Sequence, residues 1–196
     1  MIYFFETKLE KVLKNNFNFT EIENLKIKYL ISILISETSK IFLMALFFNY
    51  FGYLYEFILL TLSLLIFRPN IGGLHFDSYS KCLSFTLLFS IMVIFLNNSF
   101  SLTKETIIYL GSFNFICIYL FAPLVSKQKK SYVTSGNSWK ISLLSLVHTT
   151  LLLIFPENLY LLITVWALFL QSIQLIIGRG GELYETLYSK KIQNNQ

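Results

Sequence analysis

Charged residues are scarce in this sequence. Only 14% of its 196 residues are Asp, Glu, Lys or Arg, whereas 55% are hydrophobic, and a soluble domain normally carries about 25% charged residues. Apolar runs of roughly 17–25 residues recur, which is the length that a helix needs to cross a bilayer. Segments of alternating polarity, which indicate a membrane β-barrel, are absent. The sequence therefore predicts an all-α, polytopic membrane protein and excludes an ordinary soluble domain.

Cysteine and histidine are also scarce, with two residues of each. Cys82 and Cys117 lie in different apolar segments, so a disulfide framework is not expected. A zinc site needs three or four ligands, and His148 and Cys117, which would have to join His75 and Cys82, lie deep in other segments. We therefore expect no metal and no other cofactor, and we interpret Cys117 as a packing residue.

The N-terminus lacks the features of a cleavable signal peptide. Residues 1–28 mix Lys, Glu and Asn, without a long apolar core or a small-residue cleavage site. Within residues 1–19, apolar side chains recur at helical spacing from Ile2 to Leu13. This pattern predicts an amphipathic helix on the inner membrane surface. The alternative is an amphipathic helix packed on the protein itself.

Six apolar segments are candidates for membrane spans. Thr20 and Glu23 form a capping-box pattern at the start of the helix that leads into the first of them. We expect a single membrane-embedded domain over residues 1–196, with a six-span bundle at 20–178 and a cytoplasmic tail at 179–196. The six predicted spans are Tyr29–Tyr50, Phe51–Phe67, Cys82–Leu96, Thr106–Val125, Ile141–Phe155 and Leu159–Ile177.

The distribution of Lys and Arg predicts the orientation. If the N-terminus is inside, the inner segments carry 14 of these residues and the outer loops carry one, Lys104. By the positive-inside rule, both termini and the loop at 68–82 then face the cytoplasm. The basic residues flank spans, where they contact anionic lipid, and they do not indicate a nucleic-acid partner.

The loop "RPNIGGLHFDSYSKC" at 68–82 concentrates reactive side chains between two apolar segments. Pro69 disfavours a helical conformation in the residue before it, and the two glycines that follow loosen the backbone. The second span is therefore predicted to end near Arg68. Three residues are good N-caps for the next helix: Asp77, Ser78 and Ser80.

A cysteine and a histidine in this loop are candidates for covalent catalysis. If Ser80 is the N-cap, Cys82 lies in the first helical turn, where the partial positive charge favours a thiolate. In one continuous helix, His75 and Cys82 would be about 10.5 Å apart along the axis. A loop that folds back would allow His75 to take the proton of Cys82. The alternative is that His75 is an interfacial residue and Cys82 a small apolar one.

The pattern R-x4-G-x-H-x6-C, formed by Arg68, Gly73, His75 and Cys82, resembles the accessory gene regulator B (AgrB) family. The stretch "FAPLVSKQKK" at 121–130 is similar to the aromatic-Ala-Pro segment before a basic loop in that family. The resemblance implies a cysteine endopeptidase of the bacterial cell membrane, with His75 as general base and Cys82 as nucleophile. Such enzymes cut an AgrD-like quorum-sensing precursor at the inner face and close it to a thiolactone or lactone. The resemblance is also compatible with a homodimer.

Several neighbouring residues have two interpretations each. The backbone N–H groups of Gly72 and Gly73 would line an oxyanion hole, or these residues are simple turn glycines. The resemblance implies that Arg68 binds the acidic tail or the scissile region of the precursor; the alternative is a charge that sets topology. Asp77 would orient His75, or it caps the next helix.

Polar residues inside the apolar segments leave further hypotheses open. Glu37 and Lys40 lie three apart and form an ion pair, or they line a substrate groove. His148 bonds a neighbouring helix or competes as the catalytic base. Gln171 and Gln174 are expected to link helices.

The same intramembrane polar groups favour a second function, a small transporter or exporter. In that case Glu37, Lys40 and His148 would line the pathway, and loss of Cys82 would be tolerated. No internal repeat of the kind common in transporters is visible in the sequence. A third hypothesis is a non-catalytic membrane scaffold, in which neither His75 nor Cys82 matters.

Overall fold

The computed structural model describes residues 21–73, 78–123 and 138–193. Over these ranges the chain is helical and contains no β-strand, which confirms the predicted all-α class. The predicted amphipathic helix at 1–19 and the capping residue Thr20 lie outside the described residues. The six helices are α1 (Glu21–Tyr50), α2 (Leu54–Ile71), α3 (Tyr79–Ser99), α4 (Lys104–Phe121), α5 (Ser138–Ile154) and α6 (Leu159–Gln193).

Each helix overlaps one of the six predicted spans. Four helices, α1, α2, α3 and α6, contain a stretch that is long and apolar enough to cross a membrane. Helix α5 has 17 residues and is about 25 Å long, which is short for a hydrocarbon core of about 30 Å. Helix α4 starts with two charged residues, Lys104 and Glu105. A multi-pass helical membrane protein is thus confirmed, while the count of six spans stays a prediction.

The boundaries of α2 differ from the predicted ones. The helix begins at Leu54 rather than at residue 51, because Gly52 adopts a positive φ of 80° in the turn that precedes it. It continues beyond Arg68 to Ile71, so Pro69 lies inside its last turn. A proline there removes one backbone hydrogen bond without breaking the helix at that point.

Two other helices also end at unexpected positions. Helix α4 ends at Phe121, because Ala122 is extended (φ −80°, ψ 153°) ahead of Pro123; the predicted end at residue 125 lies outside the described residues. Helix α6 runs without a break to Gln193, past the predicted boundary at residue 178. The predicted cytoplasmic tail therefore begins within a helix.

The chain divides into two units, the first ending at Gly52 and the second beginning at Tyr53. The first unit contains α1, in which Nζ of Lys40 lies 2.6 Å from Oε1 of Glu37. The predicted ion pair between these two residues is therefore present on one face of the helix. The second unit contains α2 to α6.

Helix α6 is the central helix of the second unit. It contacts α2, α3, α4 and α5, and 61% of its apolar stretch is buried, compared with 28% for α2 and 22% for α3. Ser63 of α2 contacts Thr164, and Gly72 at the end of α2 contacts Gln171. Helices α2 and α6 therefore run parallel, and α4 has the same direction. The intervening helices α3 and α5 run antiparallel to them.

Polar side chains connect α6 to its neighbours within the apolar interior. The amide of Asn114 on α4 donates to the carbonyl of Val165 at 3.4 Å and accepts from the hydroxyl of Ser172 at 3.1 Å. The hydroxyl oxygens of Ser63 and Thr164 are 2.5 Å apart. A polar group without a partner is costly in hydrocarbon. These bonds therefore favour one register of α2 and α4 against α6.

A glycine allows α4 and α5 to approach closely. A Cβ added at the buried Gly111 would overlap the methyl group of Thr149 and lie 2.7 Å from its hydroxyl oxygen. Small residues at such crossings are a common device of membrane helix packing.

We expect Gly111→Ala to destabilise the protein by about 1–3 kcal/mol, because the added methyl overpacks the crossing. The measurement is the thermal unfolding midpoint in detergent. The control is Gly181→Ala, where nothing lies within 4 Å of an added Cβ and alanine favours the helix over glycine. An unchanged midpoint for Gly111→Ala would contradict this account of the α4–α5 crossing.

Candidate functional site

Basic side chains gather at one end of the second unit. This basic end is where α2 and α4 end, where α3 and α5 begin, and where α6 passes residues 171–181. At the opposite end, the cation Lys104 lies next to an acid, Glu105. Four cations of the basic end are described: Arg68, Lys81, Lys140 and Arg179. The charge asymmetry predicted from sequence is therefore present between the two ends of the second unit.

Arg179 has a second role at this end. Its Nε donates to the carbonyl of Phe121 at 3.1 Å, and its Nη2 donates to the carbonyl of Pro123 at 3.0 Å. These bonds satisfy carbonyls that the end of α4 leaves unpaired. They also connect α4 to the central helix at the point where the basic segment 124–130 begins.

Cys82 lies in the first turn of α3. Of the three predicted caps, Ser78 takes the N-cap position, with an extended backbone (φ −109°, ψ 133°) and no side-chain capping bond. The N–H of Cys82 donates to the carbonyl of Ser78 at 3.0 Å, which is the first hydrogen bond of the helix. Side chains of a helix lean towards its N-terminus, so the thiol is directed to the partially positive end. Cys82 is half-buried and is in no disulfide.

The glycine pair after α2 is fixed by its surroundings. Gly72 has φ 81° and ψ −164°, a conformation that only glycine adopts readily. Its N–H donates to the carbonyl of Arg68 at 2.9 Å, so this N–H ends the helix and is not available for an oxyanion hole. Its carbonyl accepts from Nε2 of Gln171 at 2.5 Å. Of the two predicted oxyanion donors, the backbone N–H of Gly73 is the one that remains a candidate.

A cleft between α2, α3 and α6 brings several of these residues together. Its polar wall comes from Arg68 on α2 and from two amides on α6, and its apolar wall is aromatic and aliphatic. Thr86 lines the cleft one turn beyond Cys82, and its hydroxyl donates to the carbonyl of Cys82 at 2.8 Å. Cys82 therefore precedes a cleft residue on the same face of α3. The lining residues are Leu64, Arg68, Phe85, Thr86, Phe89, Gln171 and Gln174.

Sequence reasoning identified the two amides of this cleft only as residues that link helices. Gln171 does link helices, through its bond to Gly72. Gln171 and Gln174 are both buried, and both approach the position of a Cβ on Gly73, with Nε2 of Gln171 at 3.4 Å and Oε1 of Gln174 at 3.7 Å. Their spacing of three along the helix is a signal that they share one face.

Four further predicted site residues complete the set: His75, Asp77, Glu37 and Lys40. His75 and Asp77 fall in the segment 74–77, outside the described residues. Glu37 and Lys40 belong to the first unit and pair with each other.

His148 is buried at the middle of α5. Its ring packs edge-on against Phe67 at 5.8 Å and Tyr160 at 5.5 Å, measured between ring centroids. Its Nε2 has no hydrogen-bond partner within the described part of the chain, so the predicted bond to a neighbouring helix is not made by that atom. Cys117 is buried, as expected for a packing residue.

These features define a class: a multi-pass helical membrane protein with a cysteine in a helical first turn beside a polar cleft. Residues 6–175 match the family model for Accessory gene regulator B, and the chain belongs to that family. It is 27% identical to an AgrB-like protein of Clostridium beijerinckii, over 99% of this chain and 98% of that one. It is 26% identical to AgrB-like protein 1 of Clostridium perfringens, over 76% of this chain and 82% of that one. No solved structure matches the chain.

We expect a small alkylating reagent such as iodoacetamide to modify Cys82 much faster than Cys117, because Cys82 is half-buried and Cys117 is 4% exposed. Mass spectrometry of the detergent-solubilised protein measures both sites. The single-cysteine variants Cys82→Ala and Cys117→Ala serve as matched controls for assignment. Equal rates at the two positions would contradict the burial that the fold gives them.

Proposed function

We propose that this protein is a membrane cysteine endopeptidase that removes the C-terminal tail of an AgrD-like precursor peptide and closes the remainder to a thiolactone or lactone. Membership of the AgrB family ties the chain to agr quorum-sensing peptide processing, in which AgrB works with the AgrD peptide. The observation that carries the proposal is the position of Cys82. It lies at the positive end of α3 and one turn from a cleft lined by Arg68 and two amides.

The first step is acyl transfer to the enzyme. His75 takes the proton of the Cys82 thiol, and the thiolate attacks the carbonyl carbon of the scissile peptide bond. The tetrahedral intermediate collapses, the C–N bond breaks, and His75 returns the proton to the amine of the departing tail. The precursor is then held as a thioester on Cys82. The N–H of Gly73 is our candidate for stabilising the oxyanion.

The second step closes the ring. A thiol or hydroxyl of the precursor gives its proton to His75 and attacks the thioester, and the Cys82 sulfur leaves and regains a proton. Exchange of one thioester for another is near balance energetically, so water must be kept away from the acyl-enzyme. The apolar side chains of Leu64, Phe85 and Phe89 in the cleft wall support such exclusion.

Arg68 is the cation of the cleft, and we assign to it the acidic tail of the precursor. The guanidinium group presents several donors in a planar fork, which matches a carboxylate. The same positive charge would also help to set the membrane topology, which is the alternative interpretation of Arg68 from the sequence. We further propose that the basic end faces the cytoplasm, with both termini on that side, because cations gather on the inner side of membrane proteins.

We expect Cys82→Ala and His75→Ala each to abolish cleavage when the protein is co-expressed with its AgrD-like precursor, since each removes a reacting group. Immunoblotting of a tagged precursor measures the cut. Cys117→Ala is the matched control and is expected to leave cleavage intact. Normal cleavage by Cys82→Ala would overturn the peptidase assignment. Retained cleavage in both Cys82→Ala and His75→Ala would exclude the covalent mechanism.

We expect Arg68→Gln to reduce kcat/KM for the acidic precursor about ten-fold or more, because a charge-assisted hydrogen bond is worth roughly 1.5–3 kcal/mol. Lys81→Gln, which removes an exposed cation next to Cys82, is expected to change it much less. With a precursor that has a neutral tail, the difference in kcat/KM between wild type and Arg68→Gln should be smaller. An equal loss for acidic and neutral tails would show that Arg68 does not bind the tail.

A further inference from the structure

The cleft of the basic end contains a buried amide that the proposed reaction does not use. Gln174 is 8% exposed, and its side chain lines the cleft together with Arg68 and Thr86. No hydrogen bond joins this side chain to another described residue, and neither of its polar atoms is among the fully enclosed ones that lack a partner, so the amide opens into the cleft. Gln171, three residues earlier, is different because its amide is already used to hold the carbonyl of Gly72. Of the two cleft amides, Gln174 is therefore the one available to a ligand.

A carboxamide that opens into a cleft without a hydrogen bond to the described chain is able to bond a ligand there. The side chain of glutamine offers a carbonyl acceptor and an NH₂ donor, and the main chain of a peptide offers the complementary pair. The cleft is also adjacent to Cys82, since Thr86 lines it one turn farther along α3. The enclosed space is only about 10 Å³, so a peptide whose carbonyl is attacked at Cys82 would run across the open side of the cleft and meet Gln174 at its edge.

We propose that Gln174 is a substrate-binding residue, whose carboxamide hydrogen-bonds a main-chain amide of the precursor peptide next to the scissile bond. This inference rests on the proposed function for the choice of peptide. The neighbouring groups support an acidic peptide as occupant, because Arg68 supplies a cation and Leu64 and Phe85 supply apolar surface. A lipid headgroup would use the cation but would not need the amide.

The first test measures binding without catalysis. A fluorescently labelled AgrD-like precursor is titrated into nanodiscs that contain one of three proteins. These are the Cys82→Ala protein itself, the same protein with Gln174→Met added, and the same protein with Thr164→Val added as the matched control. Thr164 is a buried polar residue of the same helix, bonded to Ser63 and outside the cleft. We expect Gln174→Met to raise Kd about three- to ten-fold, as for loss of one neutral hydrogen bond, and Thr164→Val to leave it unchanged. Thermal unfolding of each variant checks that it is folded.

The second test probes the same bond from the ligand. Replacing single main-chain amides of the precursor by esters removes one N–H donor at a time. We expect one position near the scissile bond at which the ester weakens binding to the Cys82→Ala protein several-fold but has no effect once Gln174→Met is also present. The loss at that position is measured in the protein that keeps Gln174, and the comparison is made with Gln174→Met protein that passes the thermal-unfolding check.

Equal affinity of the Cys82→Ala protein with and without Gln174→Met would overturn the inference. A second result would also overturn it: phosphatidylglycerol vesicles displace the peptide equally from the Cys82→Ala protein with and without Gln174→Met. That result would assign the cleft to lipid headgroups. Both tests use a protein that cannot cleave. A precursor that binds through Gln174 but is never cut would contradict the proposed reaction and leave this inference standing.

Discussion

The hydrogen bond from the amide of Gln171 to the carbonyl of Gly72 connects the central helix to the turn that leads into the candidate site. Its physical basis is the scarcity of water inside a membrane protein, where a buried carbonyl must find an internal partner. Gly72 adopts a positive φ, so its backbone carbonyl points to a place that a regular helix would not reach. The contact also lies beside the cleft, because Nε2 of Gln171, Nε of Arg68 and Oε1 of Gln174 all come within 4 Å of the position that a Cβ on Gly73 would take.

The same constraint organises the rest of the second unit. Helix α6 contacts four neighbours, and several of its polar side chains bond a group on another helix. Ser172 bonds Asn114, Thr164 bonds Ser63, and Arg179 bonds the carbonyl of Phe121. Interhelical bonds of this kind contribute modestly one by one, about 0.6 kcal/mol on average. Their larger effect is on register, because a helix shifted by one turn would leave several polar groups without partners.

The candidate site lies where this register places the polar wall of the cleft against the N-terminus of α3. Cys82 is in the first turn of α3, where its N–H forms the first hydrogen bond of the helix and the N–H groups before it have no partner within the helix. The opposite wall supplies a cation and two amides. The proposed acyl transfer would use Cys82 beside this polar wall, with the apolar side chains of the cleft helping to keep water out.

Much of the helical layout could be predicted from sequence, because a run of apolar residues has few alternatives in a membrane. The boundaries were harder, since they depend on single residues. Pro69 suggested an end near Arg68, but a proline in the last turn costs only one bond, and α2 continues to Ile71. Similarly, Ser78, Asp77 and Ser80 were equivalent as caps, and the backbone conformation of Ser78 decided between them.

Composition and spacing by themselves determined the class of protein, the positions of its helices, the asymmetry of its cations and the segment that contains His75 and Cys82. These properties are local or additive, so each can be obtained from residues in order along the chain. Tertiary structure alone decided that Gln171 holds Gly72, that Gln174 lines the cleft near Cys82, and that Arg179 bonds the end of α4. The two hydrogen-bonded pairs are separated by 58 and 99 residues along the chain. The parallel packing of α2 and α4 against α6 brings these pairs within hydrogen-bonding distance, and the packing of α3 against α6 brings Gln174 near the turn of Cys82.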